Sequence, residues 1–147
     1  MSIECMEKIE LEQFKQKFEE NFELSKKNNK NFGEMFRTIL EEKNITKEEF
    51  IQEVGLSGKT FDRYLNNTID PSLKSIISFA VAFELDMLNV ITLLRAGGYG
   101  LDFTNRTQYA YSYLITDCSG MTITECNQVL EAIGIDKKDL LKDPFNE

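Results

Sequence analysis

The sequence contains no histidine and no tryptophan, and only two of its 147 residues are proline. The absence of histidine removes the commonest general base of enzymes and a frequent ligand of zinc. The chain also has no G-x-S-x-G run, and its glycine cluster at 97–100 lacks the preceding strand that a nucleotide-binding loop requires. We therefore expect no enzymatic activity, no metal site and no cofactor.

Cysteine is scarce, and long apolar runs are missing. The three cysteines, Cys5, Cys118 and Cys126, are widely spaced and odd in number, which favours free thiols over a disulfide framework. No apolar run approaches the roughly 20 residues of a membrane-spanning helix. The first residues, MSIECMEKIE, mix charged and apolar side chains, unlike a secretory signal. We expect a cytoplasmic protein that does not contact a membrane.

Basic residues are outnumbered: 17 lysines and arginines face 25 aspartates and glutamates, for a net charge of −8. Residues 101–147 carry −4 of this charge, and residues 32–100 carry −3. A hydrophobic content of 41% with 29% charged residues is typical of a folded globular chain. The acidity disfavours a generally nucleic-acid-binding surface, so any such surface has to be local.

The most informative stretch is 46–67, TKEEFIQEVGLSGKTFDRYLNN, which predicts two short helices joined by a tight turn. Thr46 and Glu49 have the spacing of a capping box, and Gly55 is suited to end the first helix in a left-handed conformation. Ser57 is predicted to cap the second helix, with Phe61 and Tyr64 on its inner face. A helix, a glycine-containing turn and a helix form the unit that places its second helix in the DNA major groove.

Extended to 32–97, this segment resembles the Cro and phage-repressor (XRE-type) family of helix-turn-helix regulators. The resemblance rests on FGEMFRTILEEKN, on TKEEF followed by VGLS, and on the DPSL that precedes the next helix. Two features depart from the family. Leu40 and Leu65 stand where many members pair an arginine with a glutamate, and an apolar pair there is compatible with the fold. Ile51 stands where the family prefers alanine, and we expect its bulk to affect how the two helices cross.

The resemblance implies an all-α protein with a repressor-type five-helix helix-turn-helix domain over residues 32–98. An N-terminal helical arm and linker (1–31) precede it, and a C-terminal helical extension (99–147) follows. The implied function is sequence-specific DNA binding by a transcriptional regulator, a homodimer that reads the major groove of double-stranded DNA with the helix 57–66. The residues expected to approach DNA are Thr46, Lys47, Ser57, Gly58, Lys59, Thr60, Asp62, Arg63 and Asn66.

Individual roles follow from side-chain chemistry. Lys59 and Arg63 are suited to donate to guanine, Asp62 to accept from cytosine, and Asn66 to reach a phosphate or a base edge. Gly58 is expected on the outward face, where it offers no side chain for reading DNA. Thr46 and Lys47 stand at the start of a helix, whose amides favour phosphate.

The segments on either side are also predicted to be helical. Residues 1–25 carry Phe14, Phe18 and Phe22 on one stripe, which either folds back onto the core or forms a dimer contact. The polar run at 25–31 is predicted to be a linker. Later helices are expected to start at Asp70-Pro71, at Asp86, at Thr104 or Asn105, and at Thr124.

A second function remains open at this point. An acidic tail, a phenylalanine-rich arm and few basic residues also suit a repressor-like fold that serves as a protein-interaction module, either antitoxin-like or regulator-binding, with weak or no DNA binding. The C-terminal extension is then a candidate contact for a protein partner.

Overall fold

The computed structural model describes residues 7–28 and 31–144. That part of the chain contains α-helices and a short 3-10 turn but no β-strand, which confirms the all-α prediction. The helices are α1 (Lys8–Asn28), α2 (Phe32–Glu42), α3 (Lys47–Val54), α4 (Gly58–Leu65), α5 (Leu73–Ala82), α6 (Met87–Ala96), α7 (Arg106–Asp117) and α8 (Ile123–Ala132), and the 3-10 turn is Lys137–Asp139. Within those ranges no helix has the length and apolarity that would let it cross a bilayer.

The chain divides after Lys30 into two compact units. The first unit contains α1, which extends to Asn28, three residues beyond the predicted end. The linker prediction for 25–31 is therefore wrong up to Asn28, because serine, lysine and asparagine without glycine or proline do not stop a helix. Residues 1–6, which include Cys5, lie outside the described residues. The side chains of 7–23 are all exposed, including Phe14 at 59% and Phe18 at 62%.

The second unit is built around a core of aromatic rings. Phe36 of α2 lies at its centre, with ring-centroid distances of 5.6 Å to Phe32, 5.2 Å to Phe50, 5.4 Å to Phe61 and 5.3 Å to Phe79. Three of these four pairs meet edge to face, the arrangement that the ring quadrupoles favour. This cluster holds α2, α3, α4 and α5 together, so the two helices of the 46–67 stretch are fixed through their buried rings.

Helix α5 has two buried faces and joins two cores. Ile76 and Phe79 belong to the aromatic core, whereas Ile77 and Val81 belong to a second cluster that α7 and α8 complete. The predicted segment 32–98 and the extension after it thus share one compact unit. A helix as apolar as α5 fits this central position.

Two of the predicted helix starts are wrong. Helix α5 is capped by Ser72, whose hydroxyl accepts from the Ser75 amide, and not by the expected Asp70 with Pro71 at the first helical position. Helix α8 is capped by Thr122 in a capping box with Glu125, two residues before the expected Thr124. In each case a serine or threonine three residues from a suitable partner forms the cap. The cap predicted at Asp86 is present, and of the two predicted alternatives, Thr104 and Asn105, it is Asn105 that caps α7.

Candidate nucleic-acid interface

The turn between α3 and α4 is set by local sequence. Helix α3 ends at Gly55, which has φ +78° and ψ +18°, a left-handed conformation that costs a glycine little. Two residues later Ser57 caps α4, with its hydroxyl accepting from the Thr60 amide. The turn is therefore fixed at both ends, and α4 leaves it at a defined angle.

Helix α4 has a buried face and an exposed face. Phe61 and Tyr64 are each 5% exposed and pack into the aromatic core. The exposed face carries Lys59, Asp62, Arg63 and the cap residue Asn66. Thr60 is half-buried, and its hydroxyl lies 3.1 Å from that of Ser57 at the start of the helix.

An ion pair links α3 to the exposed face of α4. The ammonium of Lys47 lies 3.0 Å from each carboxylate oxygen of Asp62, and it also lies 5.9 Å from the centre of the Phe61 ring. Both partners are well exposed, so the pair contributes roughly 0.2–1 kcal/mol to stability. The main consequence of the pair is for the charge of the surface, because it neutralises the only acidic residue of α4.

The two other charged side chains of α4 are both basic. Within the described residues neither Lys59 nor Arg63 has an ion-pair partner. They stand four residues apart, so they project from the same side of the helix and repel each other by roughly 0.2–0.5 kcal/mol. With Asp62 occupied by Lys47, this side of α4 presents two unneutralised positive charges on a strongly acidic protein.

Gly58 does not face outward as predicted. A Cβ atom at this position would lie 3.2 Å from Cε of Lys47 and 3.4 Å from Cδ1 of Ile51. Gly58 therefore faces α3, beside the stem of Lys47 and the tip of the Ile51 side chain. The stem of Lys47 passes through this space towards Asp62.

The start of α3 is less open to an anion than expected. The amide and the hydroxyl of Thr46 both approach the Glu49 carboxylate, at 3.3 and 3.1 Å, and the Thr46 hydroxyl accepts from the Glu49 amide. Glu48 adds a second carboxylate in the same turn. By contrast, the first turn of α4 contains no acidic residue. A phosphate is accordingly better accommodated at the start of α4 than at the start of α3.

Two residues outside the predicted set position α4. The side-chain oxygen of Asn67 accepts from the amide of Gly33 at 2.8 Å, which ties the end of α4 to the start of α2. Asn67 has φ +56°, a conformation that asparagine tolerates better than most residues. The pair Asn66-Asn67 at the end of a helix is a possible sequence signal for this role. Nothing in the sequence indicates that the partner of Asn67 is Gly33.

Leu40 and Leu65 both contribute to the apolar packing of the second unit. Leu40 is buried, and Leu65 is half-buried, and both pack with the aromatic core. Together with Ile45 they line one side of an open groove between α2 and α4. Apolar packing therefore stands where the resemblance implies an ion pair.

The described residues contain no group of three or more acidic or cysteine side chains that could hold a metal ion. Cys118 and Cys126 are buried free thiols in the second core. Burial raises the pKa of the Cys126 thiol to about 11, with a smaller effect from the nearby Cys118, and burial likewise raises the pKa of Cys118. Both thiols are therefore protonated near neutral pH, which makes them poor nucleophiles and poor metal ligands.

Comparisons with known proteins do not assign the chain to a family. It matches no protein-family model, no curated protein and no solved structure.

Proposed function

We propose that this protein is a sequence-specific DNA-binding transcriptional regulator that places α4 in the major groove of double-stranded DNA. The proposal includes the finer fold assignment, a repressor-type five-helix helix-turn-helix domain of the Cro and phage-repressor kind. Two eight-residue helices joined by a turn with a left-handed Gly55 support this assignment, because a helix-turn-helix unit contains two short helices and a glycine-containing turn.

The observation that carries the proposal is the pair of unpartnered cations on α4. Lys59 and Arg63 lie on one side of a helix whose opposite side is anchored in the core. Placing two like charges four residues apart destabilises an isolated helix slightly, and an anionic partner turns this cost into an attraction. Arginine and lysine are also the side chains that most often read guanine in the major groove.

The distribution of charge refines the predicted contacts. We place Lys59 and Arg63 against bases or phosphates, with Ser57 and Thr60 at the phosphate nearest the start of α4. Lys47 contributes mainly by cancelling the charge of Asp62, which would otherwise repel the backbone. Because the remaining surface is acidic, binding to random sequence is expected to be weak and to depend steeply on salt.

We further propose that the regulator acts in the cytoplasm as a homodimer on an operator with two-fold symmetry. A single helix of eight residues contacts few base pairs, and two copies one helical turn apart double the contacts. A protein that stays monomeric at micromolar concentration and shows no preference among duplexes would contradict this proposal.

The test is selection of bound sequences from a pool of random duplexes, at low and at physiological salt. The test variant is the double substitution Lys59→Ala with Arg63→Ala. The matched control is Lys137→Ala with Lys138→Ala, which removes the same charge from exposed residues of the 3-10 turn. We expect enrichment of a roughly palindromic site with the wild type and the control, and no enrichment with the α4 variant.

A salt series on the selected duplex then separates electrostatic loss from misfolding. If Lys59 and Arg63 each neutralise one phosphate per protomer, the logarithmic salt slope becomes shallower by about 1.8 per protomer in the double variant. Far-UV circular dichroism should be unchanged, because both side chains are exposed. Equal duplex binding by the α4 variant and the control would refute the assignment of α4.

The alternative, a protein-interaction module, has one observation in its favour. Helix α1 carries an exposed row of apolar side chains that includes Phe14, Phe18 and Phe22, and exposed apolar rows commonly serve protein contacts. Under this alternative, Lys59→Ala with Arg63→Ala leaves partner binding intact, while Phe14→Ser with Phe18→Ser abolishes it. If the leading proposal holds, DNA binding is lost in the Lys59→Ala/Arg63→Ala variant and kept in the Phe14→Ser/Phe18→Ser variant.

A further inference from the structure

A cavity of about 330 Å³ lies between α6, the link that follows it, and α7. Val90 and Leu94 form its floor and are almost fully buried, whereas Met87, Ile91 and Phe103 surround it and are 41%, 39% and 64% exposed. Its volume falls within the roughly 300–1,000 Å³ typical of small-molecule sites. A concave space with an apolar floor is better suited to bind a small molecule than to bind the flat surface of another protein.

The link that forms one wall of the cavity is held in place from both ends. The Tyr99 hydroxyl donates to the Pro71 carbonyl at 2.8 Å, and the Tyr99 amide donates to the Leu94 carbonyl at 2.7 Å. Further along, the Asp102 amide donates to the side-chain oxygen of Gln108 at 2.7 Å. The wall is therefore formed before any ligand arrives, and binding does not have to order it.

The aromatic side chain at the mouth is also fixed. The Phe103 ring meets the Tyr109 ring edge to face, with centroids 6.1 Å apart. The carboxylate of Asp102, the acidic residue of this link, accepts two hydrogen bonds within the link, from the amide and the hydroxyl of Thr104 at 2.9 and 2.6 Å. These hydrogen bonds hold the pKa of Asp102 below its ordinary value, so it stays ionised and bound to Thr104.

One positive charge borders the cavity without a partner. Arg95 lies in the last turn of α6 and is exposed, and it forms no ion pair with any described residue. The helix C-terminus stabilises its charge without using the donors of the guanidinium. Ser112 and Thr116 also line the cavity, but the Ser112 hydroxyl donates to the Tyr109 carbonyl, and the Thr116 hydroxyl lies 3.1 Å from the Ser112 carbonyl and 3.0 Å from the Asp117 carboxylate. The donors for a ligand therefore come from Arg95.

We propose that this cavity binds a small amphipathic anion, with the apolar body on Val90 and Leu94 and a carboxylate-like head on Arg95. The guanidinium presents a planar pair of donors that matches a carboxylate, and the apolar floor excludes ligands that are polar throughout. The site is separate from α4, and the inference does not depend on DNA binding.

The test uses octanoate, below its micelle concentration, with octanamide and octylammonium as ligands that share the apolar body and differ in the head. Binding is followed by methyl NMR of the full-length protein. We expect shifts confined to methyl groups around the cavity, such as those of Ile91, Leu101 and Ile115, with none in Ile123 and Leu130, which belong to the second core and do not line the cavity. Octanoate should bind at least about tenfold more tightly than octanamide, because only the carboxylate forms an ion pair with two parallel hydrogen bonds to the Arg95 guanidinium.

Two variants test the two halves of the site. Arg95→Ala should remove the preference for the anion, and the matched control Arg37→Ala on α2 should keep it. Ser112→Phe should fill the cavity and abolish binding. If that variant does not fold, Phe103→Ala, which changes an exposed side chain at the mouth, should still weaken binding of all three ligands.

The inference is overturned if no ligand shifts the methyl groups around the cavity, or if the shifts are spread over the molecule. It is overturned equally if octanoate and octanamide bind alike and Arg95→Ala has no effect. Thermal denaturation gives an independent readout, since a ligand that binds only the folded chain raises the melting temperature.

Discussion

Replacing Gly33 by alanine tests the contact between the start of α2 and the end of α4. Helix propensity alone predicts a gain, because alanine is more favourable than glycine within a helix by about 1 kcal/mol. The tertiary structure predicts a loss. A Cβ atom at residue 33 would lie 2.4 Å from the Leu65 carbonyl oxygen and 2.9 Å from that of Tyr64, whereas ordinary contacts begin at 3.4 Å.

The magnitude follows from what has to move. The nearest atoms are backbone, so α2 and α4 have to separate by about 1 Å, a form of overpacking that typically costs about 1–3 kcal/mol. The Gly33–Asn67 hydrogen bond is lost or lengthened by that movement, at a cost of about 0.5–1.5 kcal/mol. After subtracting the gain in helix propensity, we expect a net loss of about 2 kcal/mol, or about 4–8 °C in melting temperature for a chain of this size.

The assay is urea denaturation followed by far-UV circular dichroism. Gly100→Ala is the control, because a Cβ atom there meets nothing within 4 Å, and its effect should stay within about 0.5 kcal/mol. Asn67→Gly, added to Gly33→Ala, removes one overlapping atom and relieves the positive φ but leaves the carbonyl overlap, so it should not restore stability. A Gly33→Ala variant as stable as the wild type would refute the close approach of these helices.

Two further predictions concern the interface and the second core. Asp62→Asn frees Lys47, so the logarithmic salt slope for binding to random duplex should become steeper by about 0.9, as measured by fluorescence anisotropy. The free energy of unfolding should change by less than about 1 kcal/mol. An unchanged slope would show that Lys47 does not reach DNA. Tyr111→Phe removes a 2.6 Å hydrogen bond to the Asp139 carbonyl and should cost about 1 kcal/mol at neutral pH. Burial raises the pKa of Tyr111 from 10.0 to about 12, so its stabilising effect is complete below pH 10 and disappears as the pH rises through about 12. Urea titrations across that range should show this loss in the wild type and not in Tyr111→Phe.

Local sequence was sufficient for most of the secondary structure. The caps at Thr46, Ser57 and Asp86 and the stop at Gly55 depend on residues within four positions of each other, and the structure has all of them. The incorrect starts of α5 and α8 arose where several capping residues stand close together. At Asp70-Pro71-Ser72, packing decides the choice, because Pro71 is buried and its carbonyl accepts from the hydroxyl of Tyr99 in the link after α6.

The predicted interface residues were less well determined by the sequence. Helical periodicity correctly placed Phe61 and Tyr64 inside and Lys59 and Arg63 outside. It misplaced Gly58, because the direction of a residue without a side chain is decided by the neighbouring helix. Whether Lys59 and Arg63 read DNA remains a prediction.

The sequence by itself determined the helical class, the positions of most helices and the absence of histidine chemistry, because these depend on composition, short-range capping and a period of 3.6 residues. The tertiary structure decided which charges are neutralised and which remain. The Lys47–Asp62 pair joins residues fifteen positions apart, and the Gly33–Asn67 bond joins residues thirty-four apart. The cavity beside Arg95 likewise exists only because α6, the link and α7 converge. Contacts at such separations depend on how the helices pack, and no local pattern encodes that packing.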